Sequence, residues 1–211
     1  MLKLENLPQR HGNVPLRVCR GHFATNHSHI NYYIDITFQK TRLSEAKAVA
    51  RQLVTYYASN TPVDTILCLD GTAVIGACLA DELTKNGYAT INAHNTIYVV
   101  EPEYNANSQM IFRENIQPMI RGKHVLVLMA SVTTGFTAKR SIEAIGYYGG
   151  QVTGVAALYR AVDEVAGHTV RSVYSTEDLP DYASYDYRDC PYCKQGIPID
   201  ALVNSFGFSS L

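Results

Sequence analysis

Ser131, Thr133, Thr134 and Thr137 crowd hydroxyl groups around Gly135, directly after the apolar run from Val125 to Ala130. A buried strand that runs into a small, hydroxyl-rich turn and then opens a helix directs backbone N–H groups and hydroxyls at one point. The positive end of the helix dipole favours the same charge, so a phosphate is the ligand such a turn fits. Ser131, Thr133, Thr134, Gly135, Phe136 and Thr137 are therefore the candidate phosphate-binding residues. The competing explanation is a plain strand-to-helix turn in which Thr133 or Thr134 caps the helix.

A second strand-turn-helix unit runs through Leu69-Asp70-Gly71-Thr72-Ala73. Gly71 allows close backbone approach to a ligand, and Thr72 offers a hydroxyl. Asp70 repels any anion there unless a divalent cation lies between them or its side chain points away. An ordinary glycine turn is the alternative. Cys190-Pro191-Tyr192-Cys193 is half of a zinc site, and Cys19-Arg20-Gly21-His22 has the residue types to complete it. Cys190, Cys193, Cys19 and His22 are thus candidate ligands for a structural zinc, with packed or surface thiols as the alternative. His22, His27 and His29 crowd one polar turn, which suits a metal, a base, or simple solvation.

These segments need a scaffold, and the order of elements supplies one. Strands are expected at 31–38, 64–70, 96–100, 125–128, 151–159 and 171–174. Between them fall a helix capped by Ser44 and running to about Ser59, a helix from Ala73 to Lys85 closed by Asn86-Gly87, and one over 136–148 ended by Gly149-Gly150. Alternation of strand and helix predicts an α/β fold with a mainly parallel sheet, and both Gly-bearing turns fall at the carboxyl ends of strands, where such sheets bind ligands.

Composition narrows the partners. The chain has 211 residues, 46% hydrophobic and 18% charged, which suits one globular domain. A net charge of −1 argues against a nucleic-acid partner. No apolar run nears the ~20 residues that span a bilayer, and Met1-Leu2-Lys3-Leu4-Glu5 lacks a signal-peptide core, so no membrane partner and a cytoplasmic location are expected. Five scattered cysteines do not form a disulfide framework. No G-x-G-x-x-G follows the first strand, which disfavours a dinucleotide-binding fold.

The run Val125 to Thr137 resembles the phosphoribosyl-pyrophosphate (PRPP) motif of the type I phosphoribosyltransferases. Phe23 and Tyr32-Tyr33-Ile34-Asp35 resemble the start of the base-binding hood in orotate phosphoribosyltransferases, and the segment from Asp189 to Ile199 is similar to the C-terminal tail of some bacterial homologues. The resemblance implies one domain over 1–211: a parallel sheet flanked by helices, hood elements in about 1–40 and a tail from about 175 to 211. It implies that Asp70, Gly71 and Thr72 bind pyrophosphate, that Phe23, Tyr32 and Tyr33 bind the base, that Mg2+ accompanies PRPP in an active enzyme, and that the chain forms a homodimer. The segment from Glu101 to Met110 stands where the family carries a mobile loop with basic residues, yet the first base here is Arg113. In the family the two residues before the phosphate turn are acids that hold the ribose hydroxyls; here they are Met129 and Ala130. Two readings follow. One is transfer of the 5-phosphoribosyl group from PRPP to a pyrimidine-type base, with weak PRPP binding. The other is a catalytically impaired module that senses a phosphorylated ligand such as a nucleotide monophosphate.

Overall fold

Successive residues of the central strands belong alternately to two apolar cores, and this alternation sets the layers of the molecule. The computed structural model describes residues 3–7, 14–85, 91–93 and 96–211. Three strands, β1 (Glu5–Asn6), β2 (Arg17–Ala24) and β3 (His29–Asp35), precede helices α1 (Thr37–Thr41) and α2 (Leu43–Tyr57). Then come β4 (Thr65–Cys68), α3 (Ala73–Thr84), β5 (Tyr98–Val100), the ribbon β6 (Glu103–Tyr104) and β7 (Met110–Ile111), β8 (His124–Val132) and α4 (Phe136–Tyr147). The chain closes with β9 (Gln151–Arg160), β10 (Glu164–Val165), β11 (His168–Ser175), β12 (Ser184–Tyr185), α5 (Pro191–Lys194), β13 (Ala201–Asn204) and β14 (Gly207–Ser210).

The central sheet has the order β10-β11-β9-β8-β4-β5, all parallel except β10. Ile66, Cys68, Leu126, Leu128 and Leu158 pack on one face with Val49, Leu53 and Tyr57 of α2 and Ile75, Leu79 and Leu83 of α3. Leu67, Val125, Val127 and Ala157 pack on the other with Ala138 and Ile145 of α4. Opposite faces for neighbouring residues follow from the two-residue strand repeat. Each fully buried Leu or Ile contributes about 1.5–3 kcal/mol to this sandwich. The fold is therefore α/β, with a mainly parallel sheet covered by helices.

A second sheet, β12-β3-β2-β13-β14 with β1 added to β2, forms the hood. Its core is Cys19, Phe23, Tyr33, Ala201 and Val203. The segment after 175 thus supplies three hood strands, with β13 lying parallel to β2. Among the described residues no helix is long and apolar enough to cross a membrane.

Several local expectations need correction. The strand expected at 31–38 spans His29–Asp35, and Thr37–Thr41 is helical. Ser44 lies inside α2, whose N-cap is Arg42 without a side-chain bond. The strands β2, β13 and β14 are additions, because Gly21 breaks the polar-apolar alternation of the first and the other two are short. Asn86-Gly87, expected to close α3, lies outside the described residues.

Helix α3 carries the turn at Asp70, and its contact with β4 depends on a missing side chain. A Cβ on Gly76 would sit 2.3 Å from Cys68 Sγ and 3.2 Å from Val99 Cγ1. Alanine gains about 1 kcal/mol of helix propensity over glycine, whereas overpacking costs about 1–3 kcal/mol. Gly76→Ala is expected to lower stability by about 1 kcal/mol in urea unfolding, and adding Cys68→Ala to recover part of the loss. A double variant no more stable than Gly76→Ala would show that this contact does not limit the packing.

Candidate active site

The turn after β8 has the backbone that its composition demanded. Gly135 is the N-cap of α4 at φ 76°, with no side-chain cap. The first N–H groups of the helix therefore lack intrahelical partners and point out of its end. Ser131, Thr133, Thr134, Phe136 and Thr137 line a cavity of about 320 Å³. Gly135 stands behind them, where a Cβ would lie 2.7 Å from Val165 Cγ2.

Asp70 lines the same cavity from the end of β4. Its φ of 57° and that of Gly71, 74°, make a left-handed turn, unusual for a residue with a side chain. Its Oδ2 accepts a hydrogen bond from the Ala130 amide at 3.3 Å. Burial pushes the Asp70 carboxyl up, while the Ala130 amide and Lys40 pull it down. Thr72 differs from expectation. Its buried hydroxyl donates to Leu69 O at 2.8 Å and Leu128 O at 3.2 Å, so it fastens the turn to β8 and does not line the cavity.

Lys40 is the residue that sequence reading missed. From α1 its Nζ donates to Asp70 O at 2.9 Å and to Ser205 O, and its side chain lines the cavity. Burial lowers its ammonium, opposed by Asp70 and Asp35. No motif surrounds it; the only signal was its place in the segment that follows the hood strand.

The hood covers the cavity with the turn Thr25 to Ser28 and with Ile30, Tyr32 and Tyr33. Thr25 Oγ1 accepts from the amides of His27 and Ser28 at 3.1 and 2.9 Å, which fixes the turn. The His27 ring lies 5.3 Å from that of Phe136, joining the hood turn to the turn after β8. Tyr32 donates to Asp181 Oδ2 at 2.9 Å. Phe23, expected against a base, is fully buried in the hood core beside Tyr33 and does not line the cavity. Its ring holds Tyr33 in place instead.

The ribbon β6–β7 closes a second cleft against α4, lined by Tyr104, Met110, Arg140 and Tyr147 and continuous with the first at Asp70, Phe136 and Thr137. Arg113, the first base of this region, is held by Glu103, with Nε to Oε2 at 2.7 Å. Among the described residues Lys40 and Arg140 are the Lys and Arg side chains that line the two clefts. Met129 and Ala130 also line the cavity, but Met129 packs with the α4 face and Ala130 with the α2–α3 face.

Away from the cavity, His22, Cys190 and Cys193 come together with His29, their ligand atoms all within 4.8 Å of one another. Cys19 is not among them. It is buried in the hood core with Sγ directed at Arg20 O, because strand alternation turns it away from His22.

No family model matches the chain. An orotate phosphoribosyltransferase from Pelotomaculum thermopropionicum is 30% identical over 184 residues, 84% of this chain and 86% of the relative. The chain belongs to the orotate phosphoribosyltransferase family. Solved structures agree on the fold. The orotate phosphoribosyltransferase of Mycobacterium tuberculosis H37Rv, in complex with Fe(III) dicitrate, aligns with a TM-score of 0.53 at 21% identity, over 78% of this chain and 92% of that one. The orotate phosphoribosyltransferase of Aeropyrum pernix aligns with a TM-score of 0.51 at 19% identity, over 77% and 92% of the two chains. The α/β architecture is that of a type I phosphoribosyltransferase.

The turn of this family member can be tested by substitution. Gly122 and Gly135 both have φ near +70°, but a Cβ at Gly122 meets nothing within 4 Å. A left-handed residue costs about 1–2 kcal/mol, and a steric clash adds to it. Gly135→Ala is expected to destabilise the protein by at least ~1 kcal/mol more than Gly122→Ala in chemical unfolding, with Val165→Ala removing the difference. Equal losses at the two glycines would mean that Val165 does not press on the turn.

Proposed function

We propose that the chain binds PRPP with Mg2+ and transfers its 5-phosphoribosyl group to a pyrimidine-type base, releasing pyrophosphate. The observation that carries this reading is the convergence of the Thr25 to Ser28 turn, Asp70 at the end of β4, and the turn from Ser131 to Thr137 on one cavity. Ser131, Thr133, Thr134 and Thr137, with the Phe136 amide, hold the 5′-phosphate. Tyr32, Tyr33 and the hood turn take the base. Asp70 and Gly71 face the pyrophosphate, and a single half-buried carboxylate fits Mg2+, which binds by one or two carboxylates plus substrate phosphates and keeps several waters. When bound, Mg2+ would offset pyrophosphate charge.

A ring nitrogen of the base attacks C1 of the ribose with inversion while the C1–O bond to pyrophosphate breaks. Pyrophosphate leaves with the bonding electrons, and the proton of the attacking nitrogen passes to solvent. Lys40 and Arg140 supply positive charge from the cleft walls, and one charge pair at 4 Å contributes about 4 kcal/mol at an effective dielectric near 20. Met129 and Ala130 remove two charge-assisted hydrogen bonds to ribose, each worth about 1.5–3 kcal/mol. Asp70, bonded to the Ala130 amide, places a carboxylate beside that gap. PRPP affinity is accordingly weak. The cytoplasm is its expected compartment, and a homodimer its expected assembly.

Calorimetric titration with PRPP, with and without Mg2+, and pyrophosphate release in the presence of orotate test the reading. Binding is expected to saturate only with Mg2+, pyrophosphate to be released, and Thr134→Ala to weaken PRPP binding about tenfold. Saturable binding without pyrophosphate release would replace transfer with ligand sensing.

The pH dependence has a defined sign. Burial raises the Asp70 carboxyl, so it takes a proton above the usual carboxylate range, while Lys40 and the Tyr104 hydroxyl keep theirs. Mg2+-dependent PRPP affinity should be full above the raised value and fall as pH drops through it; Asp70→Asn should flatten that limb. For the free protein the sign reverses. The contribution of Asp70 to stability is present below its unfolded value and lost as pH rises through the folded one.

A further inference from the structure

We infer that His22, His29, Cys190 and Cys193 bind one zinc ion that clamps α5 onto strands β2 and β3 of the hood. This goes beyond the transfer reaction and does not depend on it. The four ligand atoms already have the spacing of a coordination shell. Zinc–nitrogen and zinc–sulfur bonds of about 2.05 and 2.3 Å give a tetrahedron whose N–N, N–S and S–S edges are about 3.3, 3.6 and 3.8 Å. His22 Nε2 lies 3.0 Å from His29 Nδ1, 3.5 Å from Cys190 Sγ and 3.7 Å from Cys193 Sγ, and His29 Nδ1 lies 3.3 Å from Cys193 Sγ. With the two remaining edges also within 4.8 Å, the four atoms leave room for a single ion and none for a cluster of several metals. Two thiolates and two imidazoles in a tetrahedron select zinc.

The surroundings orient the ligands. His22 Nδ1 faces two carbonyl oxygens, Ile197 O at 3.0 Å and Pro198 O at 3.1 Å, so it carries the ring proton and leaves the Nε2 lone pair aimed at the other three atoms. The His22 amide donates to Asp200 Oδ2 at 2.8 Å, and the Asp200 amide donates back to His22 O at 2.8 Å. The Tyr192 ring stacks on His22 with centroids 5.2 Å apart. Cys190 is the N-cap of the single turn of α5 and Cys193 lies within it; the Lys194 amide donates to Cys190 O and the Gly196 amide to Cys193 O. An ion here joins β2, the start of β3 and α5 across a separation of about 170 residues, immediately beside the Thr25 to Ser28 turn.

Metal analysis of the full-length protein purified without chelator is expected to give one zinc per chain. After exchange with Co2+, the protein should show the visible bands of tetrahedral cobalt and thiolate-to-cobalt charge transfer. Cys193 is exposed, so Cys193→Ser is expected to keep the circular dichroism of the native fold while losing the metal and the charge-transfer band. His29→Ala should lose the metal as well, and Cys19→Ser should retain it. Chelation of the native protein should speed proteolysis between residues 175 and 200. Metal well below one equivalent, retention of zinc in folded Cys193→Ser, or an intact mass lacking two thiol hydrogens, as in a Cys190–Cys193 disulfide, would overturn the assignment.

Discussion

The parallel register of β4 on β8 is the constraint from which the site follows. Thr65 pairs with Val125 and Cys68 with Leu128, so the two strands end level and their turns emerge side by side. Three bonds continue the pairing past the last ladder residue: the Leu69 amide to Leu128 O, the Thr72 hydroxyl to the same oxygen, and the Ala130 amide to Asp70. A slip of one residue would swap the faces, driving Leu126 and Leu128 into the core shaped for Val125 and Val127 and the reverse. Burial on both faces forbids that slip, and the two left-handed turns at Asp70 and Gly135 are held opposite each other as a consequence.

The hood is set by a different device. Its sheet joins residues near both ends of the described chain, with β13 pairing Ala201 to Phe23 and Leu202 to Ala24. Such pairing carries a large loop-closure cost, and contacts elsewhere offset it. The Asn31 side chain bonds both Asp181 O and the Ala183 amide, and Lys40 bonds Ser205 O. The same lysine bonds Asp70 O, so one ammonium ties the hood rim to the turn of the central sheet.

What the sequence revealed follows from which forces are local. Core strands such as Val125 to Leu128 and helices with a regular apolar stripe, Ala46, Ala50, Leu53 and Tyr57, declare themselves because burial acts at fixed spacing. The turn at Gly135 was legible for the same reason: its conformation demands small residues at adjacent positions. Lys40 was not legible, because its role arises only when α1 meets a turn 30 residues later. Phe23 and Cys19 were misplaced through a related error. Residue type suggested contact with a ligand, but strand alternation puts both side chains on the face of β2 that forms the hood core, opposite His22. His29 was read as one of three histidines suited to a metal but was not joined to the Cys190-Cys193 pair, because no spacing rule links it to Cys193.

Met129 and Ala130 show how far a family motif can change without loss of its frame. Placed on opposite faces at the end of β8, they extend the two apolar cores to the edge of the cavity. That gain in burial comes where the family places charge. The neighbouring turn bears the charge instead, since Asp70 adopts a left-handed backbone that most residues avoid and points its carboxylate at the Ala130 amide. A strained, half-buried carboxylate, balanced only by the half-buried Lys40 ammonium, is costly for a purely structural turn. On the proposed reading it persists because a phosphorylated ligand and its cation complete the charge balance, so that the free site is electrostatically unfinished and the bound site is not.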